Sequence, residues 1–231
     1  MTPGYIATGR DEPFDQRMSM EEFQARQSER IGRRPIELLP KNQVVPFRLD
    51  PHVVDEFERC VNKAEDERPI QSFLEGHPEI VACLPTRAGS LMWVIARQRL
   101  GSEHITDFIV GDHCSYGYDW YAIELESPRV TILNQDGSPA PNLRKAQLQV
   151  RRWRIWMSQN AQYLRNSSIP IWGPDFQGYC IVLGRRAVLR SQQAELYRSL
   201  SADGIAIMTY DRLIEKARAR TIEHSTPEAL K

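Results

Sequence analysis

Residues 104–128 read HITDFIVGDHCSYGYDWYAIELESP, and this stretch contains two apolar runs separated by glycines. The first run predicts a strand over 104–110 that ends at Gly111, and the second predicts a strand over 120–126 that ends before Pro128. A turn at Gly117 would fold the two strands into a β-hairpin. The hairpin is the centre of the predicted fold, and the remaining elements are placed around it.

Acidic residues interrupt both apolar runs of the hairpin. Asp107 lies in the first strand, and the hairpin would place it beside Glu124 in the second. Glu124 and Glu126 are two residues apart, so their side chains face the same side of the sheet. Charges in strands are costly to bury unless they are paired or bound to a cation. No lysine lies on that face of the two strands, so we expect the carboxylates to need another partner.

A divalent metal ion would relieve the repulsion among these acids. Mg²⁺ prefers oxygen ligands, is usually held by one or two carboxylates and keeps several waters; Mn²⁺ is the alternative. Such an ion lowers the pKa of a bound water and stabilises charge on a phosphate, which indicates phosphodiester hydrolysis. The competing interpretation is a solvated hairpin edge with exposed acids.

A long helix is predicted over 142–164, and it is strongly basic. It has no acidic residue between Leu143 and Trp156, and tryptophans lie among its cations. Cations and aromatic rings suit a nucleic-acid backbone and its bases, although we favour a core position for Trp153 and Trp156. The candidate DNA-binding residues are Arg144, Arg151, Arg152 and Arg154 on this helix, and Arg185 and Arg186 after a later strand. For Arg185 and Arg186, a turn with solvated side chains is the alternative.

Two further side chains of this helix are candidates for the site itself. Lys145 and Gln149 are four residues apart and therefore share a helical face. That face would point back at the sheet edge where the acids converge.

Helices and strands alternate over the rest of the chain. Asp50-Pro51 is a helix start, and apolar residues at three- and four-residue steps continue the helix to about Ala64. A second helix is predicted over 69–75, before Gly76. Strands that alternate with helices in the second half predict an α/β fold in which helices flank a mixed β-sheet.

The chain has 231 residues, 41% of them hydrophobic and 26% charged, which is typical of an ordinary globular protein. We divide it into an N-terminal arm (1–48), partly disordered or docked in an oligomer, a folded domain (49–222) and a C-terminal tail (223–231). Thirty basic and thirty acidic residues give a formal charge of zero. This excludes a globally basic nucleic-acid binder but permits a local basic surface.

Several other classes of protein are disfavoured. No apolar run approaches 18 residues, so no transmembrane helix and no membrane partner are expected. The four cysteines form no C-x-x-C pair and no disulfide pattern, and the N-terminus lacks the features of a signal peptide, so we expect a cytoplasmic protein. No glycine-rich phosphate-binding loop is present, which argues against ATP.

Six segments occur in the order found in one known family. They read ERPIQSFLEGHPEIV (67–81), TDFIV (106–110), IELESP (123–128), AQLQVRRW (146–153), IVLGRR (181–186) and IMTYDRL (207–213). In this order they resemble the catalytic domain of the Shedu anti-phage defence family, which has a PD-(D/E)XK nuclease core. The similarity spans about residues 55 to 218.

The resemblance implies a metal-dependent DNA endonuclease in bacterial defence. Asp107 and Glu124 would be the metal-binding acids, with the Leu125 carbonyl as a further ligand. Glu75 matches the family's helix acid and would contact the metal through water, and Gln149 would help orient the ends of the reacting strand. Because Shedu-type proteins assemble, the resemblance also implies a homo-oligomer.

Glu126 departs from the superfamily pattern, which has a lysine two residues after the glutamate. A lysine there would position the attacking water and offset negative charge. Glu126 would instead act as a general base or bind a second metal, or Lys145 would take the lysine's role. The remaining alternative is a catalytically weak or inactive module that binds nucleic acid or senses phage components.

Overall fold

The computed structural model describes residues 42–44, 49–85, 92–114, 117–166, 176–188, 200 and 204–221. Nearly all of the predicted N-terminal arm and the whole predicted C-terminal tail lie outside these ranges. The predicted boundaries of the folded domain therefore stay predictions.

A mixed β-sheet forms the centre of the described fold. Its strands are β1 (Gln43–Val44), β2 (Met92–Ala96), β5 (Phe108–Cys114), β6 (Gly117–Leu125), β7 (Phe176–Val182) and β8 (Ile205–Met208), and they neighbour one another in this order. The pairs from β1 to β6 are antiparallel, whereas β6, β7 and β8 are parallel. A small separate hairpin is formed by β3 (Arg99–Leu100) and β4 (His104–Ile105).

Helices cover both faces of this sheet, as predicted. They are α1 (Pro51–Lys63), α2 (Arg68–Gly76), α3 (Pro78–Val81), α4 (Pro141–Gln159), α5 (Ala161–Asn166) and α6 (Tyr210–Arg218). Asp50 caps α1 as expected, because its side chain accepts a hydrogen bond from the His52 amide over 2.9 Å. Among the described residues, no helix has the length and apolar character needed to cross a membrane.

The two faces of the sheet carry separate apolar cores. One core joins α1, α2, α3 and α6 to alternate residues of β5, β6 and β7, among them Phe108, Ile123 and Val182. The other joins α4 to the opposite face, where Ala122 and Ile181 lie. Trp153 is fully buried in this second core and Trp156 is 9% exposed, which confirms their interpretation as core residues.

The predicted long helix is wrong at its C-terminal end. Helix α4 stops at Gln159, and α5 is a separate helix. The Asn160 side chain donates a hydrogen bond of 2.8 Å to the Trp156 carbonyl, and its backbone leaves the helical region. A short polar side chain that satisfies a terminal carbonyl in this way ends the helix.

The predicted hairpin is confirmed, but its ends differ from the prediction. Strand β5 continues through Gly111 to Cys114, and Gly117 pairs with Cys114 instead of making the turn. Asp107 precedes β5 instead of lying inside it, because the ladder begins with the pair Phe108 and Ile123. The position opposite Asp107 is nevertheless that of Glu124, as the hairpin predicted.

Candidate active site

The two glutamates lie at the end of β6, on the face covered by α4. Ala122 belongs to the α4 core, and side chains two residues apart share a face, so Glu124 points toward α4 as well. Glu124 is 6% exposed and Glu126 is 7% exposed. The sequence-based alternative, a solvated edge with exposed acids, is therefore wrong.

Asp107 is held beside Glu124 by the backbone of β6. Its Oδ2 atom accepts a hydrogen bond of 2.7 Å from the Leu125 amide. Arg97 lies nearby with a backbone φ of 51°, and its amide donates to the Asp107 carbonyl over 2.8 Å. A non-glycine residue in the left-handed region costs free energy, and such residues cluster at functional sites.

The Asp107 and Glu124 carboxyls are both buried and lie beside each other, so ionising both of them is unfavourable. Burial raises the pKa of Asp107 to about 6, although the Leu125 amide and the Arg97 charge oppose the shift. Burial raises the pKa of Glu124 to about 10, and the charges of Asp107 and Glu126 add to the effect. The two groups therefore titrate as a coupled pair, and the pair keeps a proton at neutral pH.

Glu126 occupies the position where the superfamily pattern has lysine, and α4 partners it. The Asn142 side chain, in the first turn of α4, lies beside the Glu126 carboxyl and favours its ionised form. Burial raises the pKa of Glu126, whereas the charge of Lys145 lowers it. The Glu126 carbonyl accepts a hydrogen bond of 2.8 Å from the buried Tyr210 hydroxyl, which fixes the backbone there.

Lys145 lies on the helical face that was expected to point toward the acids. The strands carry no lysine on this face, but Lys145 extends from α4, and its charge stabilises the ionised forms of Glu124 and Glu126. Gln149 is one helical turn further along α4 and is partly buried. The helical spacing of four residues was the signal that identified both.

Glu67 is a candidate that the sequence analysis missed. It occupies the N-cap position of α2 and is partly buried, and its negative charge raises the pKa of both Asp107 and Glu126. Glu75, the predicted helix acid, lies at the other end of α2, is exposed, and accepts a hydrogen bond of 2.9 Å from Gln71. The signal for Glu67 was its place before Arg68-Pro69, where a helix starts.

The donor set can be tested against a metal ion. Among the described residues, no three His, Cys, Asp or Glu side chains form a cluster that would hold a metal by themselves. The buried Oε2 atom of Glu124 has no hydrogen-bond partner within the described chain. Two adjacent carboxylates, one with an unpartnered buried oxygen, fit an ion such as Mg²⁺ that takes one or two carboxylates and completes its shell with water.

The backbone carbonyl of Leu125 is a further oxygen that fits this set of metal ligands. The Leu125 amide points toward Asp107, whereas the next amide, of Glu126, donates to the Val182 carbonyl of β7 over 2.9 Å. In an extended strand the N–H and C=O of one residue point to the same side. The Leu125 carbonyl therefore points to the Asp107 side of β6.

The six candidate DNA-binding arginines differ in their surroundings. Arg144, Arg151 and Arg152 are exposed on α4. Arg154 lies over the Tyr179 ring, 5.1 Å from its centroid, Arg185 pairs with Asp211 over 2.8 Å, and Arg186 pairs with Glu215 over 2.6 Å.

The fold and the acids define an α/β protein with a buried carboxyl pair at the ends of two central strands of a mixed sheet, beside a basic helix. Comparison with known families identifies the chain further. The family described as Shedu protein SduA, C-terminal, matches residues 64–214, so the chain belongs to this family. Membership supports a role in anti-phage defence. A search of curated proteins found no match.

Proposed function

We propose that this protein is a metal-dependent DNA endonuclease that acts in bacterial anti-phage defence. The observation that carries the proposal is the buried Asp107–Glu124 pair at the end of β6. One oxygen of this pair, Oε2 of Glu124, is buried without a hydrogen-bond partner. The topology supports the proposal, because the antiparallel strands β2, β5 and β6 are followed by α4 and the parallel strand β7. This is the arrangement expected of a PD-(D/E)XK-type core.

Asp107 and Glu124 would hold the metal, with the Leu125 carbonyl as the third protein ligand. Bound Mg²⁺, or Mn²⁺ in its place, would lower the pKa of a water and neutralise charge on a phosphodiester. The chain's contribution is preorganisation, because the Leu125 amide fixes one Asp107 oxygen and burial fixes Glu124. Ionised ligands are required, so metal binding would release the proton that the pair shares.

Lys145 takes the role that the family pattern assigns to the missing lysine. Its ammonium group acts on both Glu124 and Glu126, so it offsets their charge and can orient a water between them. Glu126 has a raised pKa and a fixed backbone, which suits a group that accepts a proton from that water. Gln149, on the same face of α4, would orient the ends of the reacting strand.

DNA would approach along α4. Arg144, Arg151 and Arg152 are exposed on this helix, which has no acidic residue along its length. Arginine side chains bind phosphate with two parallel hydrogen bonds, and such contacts position the duplex without reading its sequence. Arg185 and Arg186 are weaker candidates, because Asp211 and Glu215 already pair with them.

A second function is favoured by one observation, the presence of Glu126 where the superfamily pattern has a lysine. A glutamate cannot supply the positive charge that a catalytic lysine would bring. The alternative function is a nuclease-like module that binds DNA, or senses phage components, without cutting. Such a module would bind DNA equally well in EDTA and in Mg²⁺.

Incubation with supercoiled plasmid separates the two functions. We expect the wild-type protein to nick or linearise the plasmid in Mg²⁺ or Mn²⁺, and EDTA or the substitution Asp107→Asn to abolish cleavage. Glu65→Gln is the matched control, since Glu65 is 84% exposed and lies outside the carboxyl pair. Plasmid that stays intact with folded wild-type protein in both metals would contradict the nuclease proposal and favour the binding module.

A further inference from the structure

Hydrogen bonds join the connection between α1 and α2 to the residues that follow β6. The Ser127 hydroxyl donates to the Glu65 carbonyl over 2.9 Å. The Arg129 guanidinium donates to the Ala64 carbonyl over 3.0 Å and to the Asn62 carbonyl over 2.8 Å. The Arg129 amide also donates to the Ser127 hydroxyl over 3.1 Å, so the two residues form one unit, which we call the 127/129 clamp.

The carbonyl bonds supply most of the strength of this clamp. The last carbonyls of a helix lack partners within it and lie at the negative end of the helix dipole. A guanidinium that donates to two of them makes charge-assisted hydrogen bonds. The ion pair of Arg129 with Glu65 adds little, because Glu65 is 84% exposed and surface ion pairs are weak.

The clamp fixes the chain two residues before Glu67, which lies at the start of α2. The Ser127–Glu65 hydrogen bond joins this connection to the residue that follows Glu126, so Glu67 lies near the end of β6. The charge of Glu67 also acts on Asp107 and Glu126. Bringing a fourth acid to this end of β6 costs free energy unless a cation is bound there. The 127/129 clamp holds Glu67 near the other acids despite that cost, which is expected if Glu67 helps to bind the cation.

We infer that Arg129 is a positioning residue for the Glu67 carboxylate. By hydrogen-bonding to the carbonyls at the end of α1, it holds Glu67 near the proposed cation site at the end of β6. The inference rests on the proposed function, since it concerns the same cation site. The side-chain hydrogen bonds of Arg129 go to Asn62, Ala64 and Glu65. Its effect on the cation passes through the α1–α2 connection to Glu67.

Binding of Mn²⁺, measured by isothermal titration calorimetry on the full chain, tests this inference without relying on activity. Removing a group that orients a metal site typically weakens metal affinity by about 10- to 100-fold. We expect Arg129→Ala and Glu67→Gln each to weaken Mn²⁺ affinity by about tenfold. The double variant should be no weaker than Glu67→Gln alone, because both changes remove the same contribution.

Arg218→Ala is the matched control. Arg218 joins α6 to Glu58 and Asp55 of α1, so its loss removes ion pairs on the same helix but away from the α1–α2 connection. We expect this variant to lose some thermal stability and to keep wild-type Mn²⁺ affinity. If Arg129→Ala does not fold, Ser127→Ala removes the two hydrogen bonds of the Ser127 hydroxyl and should weaken Mn²⁺ binding in the same direction.

Three results would overturn the inference. Wild-type Mn²⁺ affinity in folded Arg129→Ala would show that the clamp does not serve the site. A double variant that loses the product of the two single effects would show that Arg129 does not act through Glu67. A wild-type protein that binds no Mn²⁺ would contradict the proposed function as well, whereas the first two results leave it standing.

Discussion

The Leu125 amide donates to Oδ2 of Asp107 over 2.7 Å, just beyond the last residue pair of β5 and β6. A side-chain oxygen there takes the place that a backbone carbonyl holds in a regular ladder. The Asp107 carboxylate is thereby fixed opposite Glu124 and cannot turn away from it. Two buried acids are consequently held together by the fold, at a cost that a bound cation would relieve.

Neutralising one of these acids is expected to stabilise the metal-free protein. Glu124→Gln keeps the shape of the side chain and removes the ionisable group, so the free energy of unfolding at pH 8 should rise by about 1–3 kcal/mol. Urea unfolding in EDTA measures this change. The exposed Glu65→Gln is expected to change it by less than about 0.5 kcal/mol. A lower stability of Glu124→Gln would contradict the argument.

The stability of the metal-free protein is expected to fall as the pH rises. The pKa of Glu124 is about 10 in the folded state against an ordinary value of 4.5, so the folded protein keeps a proton that the unfolded chain releases. Stability is therefore highest below the ordinary pKa and declines through the folded one. Asp107, with a pKa of about 6 against 3.8, adds to the decline at acidic pH.

Urea unfolding of the wild-type protein and Glu124→Gln between pH 5 and 9, in EDTA, checks this dependence. The variant should show a flatter profile above pH 6, because the group that holds the extra proton is gone. Parallel profiles for the two proteins would show that another group controls the pH dependence.

Gly111 is required by the packing of the hairpin. It pairs with Trp120 across β5 and β6, and a Cβ atom at Gly111 would lie 2.4 Å from the Trp120 ring. Gly111→Ala should therefore destabilise the protein by about 1–3 kcal/mol, as overpacking typically does. The control is Gly76→Ala at the end of α2, where a Cβ meets no atom within 4 Å. Equal thermal stabilities of the two variants would contradict this account.

The exposed arginines of α4 are expected to contact DNA phosphates. Arg151→Gln combined with Arg152→Gln should weaken binding of any DNA sequence and lower the salt dependence of the affinity by up to about two ion equivalents. Fluorescence anisotropy at several salt concentrations, with Mg²⁺ replaced by Ca²⁺, measures both effects. The control is Arg59→Gln, because the Arg59 side chain is exposed on α1. An unchanged salt slope in the double variant would place the DNA elsewhere.

The hairpin and its acids could be predicted from the sequence because the relevant signals are local. Apolar runs set the strands, and the alternation of side chains set the shared face of Glu124 and Glu126. Lys145 was reachable through helical spacing, although the sequence left its direction open. The lysine whose charge acts on the acids comes from a different element, and the pattern of the strands does not indicate it.

Glu67 and Arg129 could not be predicted because their roles depend on tertiary contacts. Sixty-seven residues separate Arg129 from the Asn62 carbonyl that it binds. The motif at 67–81 contains three glutamates, Glu67, Glu75 and Glu79, and only the packing of the α1–α2 connection against the end of β6 places Glu67 near the site. Likewise, the ion pairs that engage Arg185 and Arg186 join residues more than 20 positions apart.

The central claim is that Asp107 and Glu124 together bind a divalent cation, and equilibrium dialysis against Mn²⁺ at pH 8 tests it most directly. We expect the wild-type protein to bind Mn²⁺ saturably, and Glu124→Gln, correctly folded by circular dichroism, to lose that binding. The control Glu65→Gln should bind as the wild type does. Undiminished Mn²⁺ binding by folded Glu124→Gln would contradict the claim.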